Sequence, residues 1–152
     1  MAITVQDTYL TDYAQGFPGM LADGTTQNRV TGIVADSAGI AFGKAAFSTG
    51  TTGRQVTATP GTKFKGITIA HSALATGLTG TPDVYGQYAS ANLLDNGNIW
   101  VVAGATVAKD AAVYVTSAGA FTSVSSGNTA IPATFLDAAA SGAPVKIRVI
   151  QQ

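Results

Sequence analysis

Catalysis needs titratable or nucleophilic side chains set in pairs or triads, and this chain of 152 residues offers few. His71 is the sole histidine and follows the apolar run Ile67-Thr68-Ile69-Ala70, at an expected strand end. Ser72 stands beside it and eight Asp are scattered along the chain, but no Gly-x-Ser-x-Gly nucleophile elbow occurs. Glycoside hydrolysis requires two facing carboxylates, and Glu is absent, so both would have to be Asp. Asp23, Asp36, Asp83 and Asp95 each adjoin Gly, Ser, Pro or Asn, contexts in which an Asp side chain hydrogen-bonds nearby backbone in a turn. Without cysteine there is no disulfide, thiolate ligand or thiol nucleophile. There is no histidine pair and no Asp-x-Asp-x-Asp-Gly calcium loop. The Gly-rich run Thr76-Gly77-Leu78-Thr79-Gly80 lacks the Lys and helix of a phosphate loop. The expectation is a protein that is no enzyme and carries no cofactor or metal.

Contact residues are the remaining candidates. Lys63-Phe64-Lys65 is the densest basic spot, and on a strand its two lysines share one face, either solvated or set against a partner's carboxylates. Ile99-Trp100-Val101-Val102 is apolar on both faces of an expected strand, which calls for cover on both sides, by the core and by something else such as another subunit. Tyr9, Tyr13 and Phe17 recur every four residues among Asp and Thr, the composition of an arm laid on a neighbour or of a marginal helix.

The elements that must position these residues are strands. Ala, Thr, Gly and Ser make up 75 of the 152 residues, and Val, Ile and Thr number 43 against 7 Leu. Beta-branched side chains suit a pleated surface and lose rotamer freedom in a helix, which argues against a helical bundle. From Val30 onward, short strands and turn signals alternate every eight to twelve residues, as in a sandwich or barrel. Strands are expected at 31–35, 40–47, 55–58, 63–70, 85–94, 98–103, 111–116, 120–124, 131–138 and 144–150, with one more at 19–22. Asn96-Gly97 is the strongest hairpin signal, and Ser72 to Asp83 reads as a loop. A faint echo links Val34 to Phe42 with Val113 to Phe121, each a strand, a Ser-Ala-Gly turn and a strand. The domain plan is residues 1–29 as an N-terminal arm with a first loop or strand, and 30–152 as a single all-β sandwich or barrel.

Only 11% of residues are charged, against about 25% in an average domain, and eight basic residues balance eight acidic ones. Zero net charge and no basic cluster argue against direct nucleic-acid binding. No apolar window is long enough for a membrane span, and Met1 to Leu10 lacks the form of a signal peptide, so a soluble chain of cytosolic origin is expected. Low charge also fails to oppose association, which hints at assembly.

Several segments, in order, resemble the capsid cement or decoration proteins of tailed bacteriophages. They are Gly16-Phe17-Pro18-Gly19-Met20-Leu21-Ala22-Asp23, Ile40-Ala41-Phe42-Gly43-Lys44-Ala45, Phe64-Lys65-Gly66-Ile67, Gly97-Asn98-Ile99-Trp100-Val101, Val113-Tyr114-Val115, and the closing pair of strands from Ala138 to Val149. The resemblance implies a jelly-roll-like sandwich or barrel on the outer surface of the virion capsid. It implies the major capsid protein as partner, together with a second or third copy of the chain as homodimer or homotrimer. Under it, residues 2–18 are an arm anchored by Tyr9, Tyr13 and Phe17, and Ile99, Trp100, Lys63 and Lys65 are candidates for the oligomer or capsid interface. The alternative is a carbohydrate- or receptor-binding module whose Tyr85, Tyr88 and Trp100 stack on sugar rings.

Overall fold

Alternation of apolar and polar residues sets the strands, and the last one shows it most simply. In Pro144–Ile150 the side chains of Val145, Ile147 and Val149 are buried, while Lys146 is half-buried and Arg148 exposed. The computed structural model describes residues 15–61, 63–72 and 82–150. Within them, all eleven named elements are strands: β1 (Asn28–Val34), β2 (Ile40–Ala41), β3 (Ala45–Thr49), β4 (Gln55–Thr57), β5 (Phe64–Thr68), β6 (Val84–Tyr85), β7 (Ser90–Val102), β8 (Ala112–Val115), β9 (Phe121–Thr122), β10 (Thr129–Phe135) and β11 (Pro144–Ile150).

The large sheet runs β1-β4-β3-β5-β7-β11-β10-β8-β9, and β1 also pairs with β7. That extra pairing closes the first five strands into a ring. The remaining strands return as well, because Phe121 bridges Ala103 and the Gly104 amide donates to the Phe121 carbonyl. The fold is thus a barrel closed twice over, with β7 common to both rings. Closure pairs the backbone groups that open sheet edges would leave free.

β7 is therefore buried on both faces along most of its length. Leu93 and Leu94 are adjacent and both fully buried, yet they serve opposite clusters. Leu93 packs with Val34, Ile40, Phe42, Ala46, Val56 and Tyr85 inside the first ring. Leu94 joins Phe47, Phe64, Ile67, Ile99, Val101, Phe121, Phe135 and Ile147 in the cluster that fills the second ring and the outer face of β3 and β5.

Two sequence expectations are corrected here. Asn96-Gly97 is not a hairpin: β7 runs straight through it, paired with β11 from Asn96 to Val102 and with β1 from Ser90 to Asn96. Gly97 uses its freedom at φ 132° inside the strand, next to a register shift at Asn28/Arg29. The expected strand 40–47 is broken into β2 and β3 at Gly43. The Ser-Ala-Gly echo is not a repeat, since the second copy closes the β8–β9 hairpin whereas β1 pairs with β4 and β7, and β2 pairs with β6. The expected loop from Ser72 to Asp83 lies mostly outside the described residues.

Candidate interaction site

The chain between Gly16 and Ala22 is stitched to the middle of β7. The Gly19 amide donates to the Trp100 carbonyl at 2.8 Å, the Trp100 amide to the Met20 carbonyl at 2.8 Å and the Ala22 amide to the Asn98 carbonyl at 2.9 Å. On its other side the Gly19 carbonyl accepts from the Ala70 amide at 2.8 Å. Leu21 opposite Ile99 completes the pairing, where the sequence places a strand at 19–22.

Gly16 lies flat on the Trp100 indole: a methyl group added there would come within 2.4 Å of Trp100 Cδ1. Lys146 Nζ sits 5.7 Å from the ring centroid and pairs with Asp137 at 3.1 Å. The second face of Ile99-Trp100-Val101-Val102 is thus covered largely by the chain itself rather than by another subunit. Ile99 is fully buried and Trp100 is only 9% exposed, so of this run Val102, 37% exposed, is the residue open to a partner.

A second fixing point is polar. Asn98, itself buried, donates from Nδ2 to Asp23 Oδ2 at 2.7 Å and accepts at Oδ1 from Arg148 Nε at 3.3 Å. The Asn98 hydrogen bond, with help from Thr25 and Arg148, holds the Asp23 carboxyl below its ordinary range. Tyr85 is buried with its hydroxyl donating to the Ile69 carbonyl at 2.7 Å, and burial pushes its phenol up.

Between the Phe17-Pro18 segment and the β2–β3 turn lies a groove of about 530 Å³ lined by Phe17, Pro18, Ala41, Phe42, Gly43, Lys44, Asp83 and Val102. Its walls are mainly apolar, and Phe17 is 57% exposed at its lip. The sequence singled out Phe17 but missed the opposite wall. The only signal for it is Gly43, which interrupts the apolar run 40–47.

Of the remaining candidates, Lys63 is exposed and Lys65 half-buried on β5, and Tyr9 and Tyr13 lie outside the described residues. No sugar platform forms from Tyr85, Tyr88 and Trp100, because only Tyr88 is exposed. His71 is exposed, and among the described residues no group of three or more acidic or histidine side chains is placed to hold a metal. Asp23 accepts from the Thr25 amide, and Asp36 from Thr57 Oγ1 and the Ala58 amide, so these two carboxylates serve the fold.

The described surface thus presents an apolar groove beside a stitched-in N-terminal segment on a twice-closed β barrel. The comparisons give the chain a family. Residues 5–150 match the model of the structural cement protein family (E217 gp24/Pam3 gp6), and the chain belongs to that phage family. A comparison with curated proteins gave no match. Among solved structures, a chain of "The capsid of Myoviridae Phage XM1" shares the fold at TM-score 0.70 and 17% identity, with 96% of this chain and 97% of that one covered.

Proposed function

We propose that this protein cements a phage head: it binds the outer surface of the expanded capsid and bridges neighbouring major capsid protein subunits. The shell so braced resists the outward pressure of packed DNA. Family membership over residues 5–150 is the observation that carries this reading, and the fold shared with a chain of a phage capsid supports it. The protein acts without catalysis, cofactor, membrane or direct nucleic-acid contact.

The physical logic is linkage. A protein that binds the expanded lattice and not its precursor stabilises the expanded state by mass action at every seam. Association into a dimer or trimer multiplies the hold, because each further contact forms at high effective concentration. With zero net charge, contact works through shape and apolar area, for which Phe17 and Val102 are exposed. Residues ahead of Gly16, with Tyr9 and Tyr13, extend that area as an arm.

The test is co-sedimentation of the purified protein with expanded and unexpanded shells, followed by reconstruction of the decorated particle. Stoichiometric binding to expanded shells alone, with density on the outer surface, is expected. Equal binding to both shells, or none to either, contradicts the proposal.

A further inference from the structure

We propose that the groove between Phe17, Phe42 and Val102 is the seat for residues 1–14 of a second copy of this chain, so that the protein associates by exchanging arms. The inference rests on the self-association in the function proposed above and narrows the arm's target from the capsid protein to another copy. The groove, about 530 Å³, has room for a few side chains of the size of Tyr or Leu.

The occupant follows from the chain that precedes the groove. In residues 1–14, Ile3, Val5, Tyr9 and Tyr13 all fall on odd positions, so an extended segment presents them on one face. The segment contains no Pro to interrupt a strand. It holds Asp7 and Asp12 and no basic residue, which leaves the rest of the chain two charges to the basic side. The groove wall carries one lysine, Lys44, and one carboxylate, Asp83, so the fit of segment to groove rests on the apolar face.

Reach and the position of the wall select a second copy over the chain's own groove. Phe17 and Pro18, which directly follow the segment, form the groove wall themselves, so a segment seated in its own groove would have to double back within Gln15 and Gly16, and Gly16 already lies on the Trp100 ring. Fourteen extended residues span up to about 50 Å. A domain of this size is roughly 38 Å across. An extended arm of that length is long enough to cross to a neighbour's groove, as segment exchange between identical chains requires.

The natural chain has no cysteine, which makes disulfide trapping a direct test. Full-length Tyr9→Cys or Tyr13→Cys chains are mixed with tagged Val102→Cys chains and oxidised in solution, with no shell present. Phe17→Cys is a second groove position, and Gly24→Cys, where nothing lies within 4 Å, is the control. The expected product is a species of twice the chain mass joining one arm variant to one groove variant, several-fold above the control. A Tyr13→Cys/Val102→Cys chain that closes on itself without the double-mass species overturns the second copy as occupant. Yields no higher than with Gly24→Cys overturn the groove as the seat. Because shells are absent, neither result bears on capsid binding by the unsubstituted chain, which co-sedimentation reads separately.

Discussion

Gly19 and Gly43 meet backbone to backbone: a methyl group added at Gly43 would come 2.7 Å from the Gly19 amide nitrogen, and one added at Gly19 would come 3.0 Å from that of Gly43. Both have positive φ, 83° and 65°. This contact, about eighty residues from Trp100 in sequence on one side and sixty on the other, seats the Pro18-Gly19 segment on the β2–β3 turn beside the groove.

Gly43→Ala accordingly combines left-handed strain with a backbone clash, and is expected to cost about 2–4 kcal/mol. Gly53 has the same φ of 65° with nothing within 4 Å, so Gly53→Ala carries the strain alone, about 1 kcal/mol. Urea unfolding of the two variants measures the difference. Equal losses mean that the Gly19–Gly43 contact contributes nothing.

An arm of residues 2–18, as the resemblance implies it, includes Gly16 to Pro18, which in the structure cover Trp100 and wall the groove. Removal of residues 2–14 is expected to preserve the unfolding midpoint and the blue-shifted emission of the single tryptophan. Removal of residues 2–18 shifts that emission to the red and lowers the midpoint. Both truncations weaken capsid decoration through lost avidity. Unchanged emission in the longer truncation contradicts the cover that Gly16 provides.

Asp23 gives the β7 junction a dependence on acid. Its carboxyl is held below its ordinary range chiefly by the Asn98 hydrogen bond, so the folded state favours the ionised form. The contribution is full above the unfolded carboxylate range, that is above about pH 5, and is lost as pH falls through the lower folded value. Asp23→Asn removes the ionisation. The wild type is therefore expected to exceed this variant in urea midpoint at pH 6 and to approach it at pH 3. A constant gap across that range contradicts the link.

Lys63 and Lys65 are expected to be dispensable. An interface built on shape and apolar area by a chain of zero net charge loses little to salt, because screening weakens only charge pairs. Decoration by Lys65→Ala is expected to match wild type, and wild-type decoration to persist in high salt. A marked loss with either change assigns the lysine pair to the interface.

Much of the barrel was legible because its strands are one-sided: β11 and the Val113, Val115 pair of β8 announce their buried face by a period of two. The two-sided apolar run Ile99 to Val102 correctly called for double cover. It could not say that the cover comes from Gly16 to Leu21, because pairing across some eighty residues leaves no local trace. Asn96-Gly97 misled for a related reason. A glycine at positive φ serves a strand bend as well as a hairpin, and only the distant partners β1 and β11 decide between them. The groove joins Phe17 and Val102, both singled out in the sequence, to Phe42 and Gly43 at the β2–β3 turn, a wall the sequence did not mark.

Heating DNA-filled heads with and without the bound protein tests the cement function most directly, with DNA release followed by a dye that the intact shell excludes. Decorated heads are expected to hold their DNA to a distinctly higher temperature, with the gain lost as the protein is diluted away. Release at the same temperature from decorated and bare heads, at full occupancy, contradicts the account.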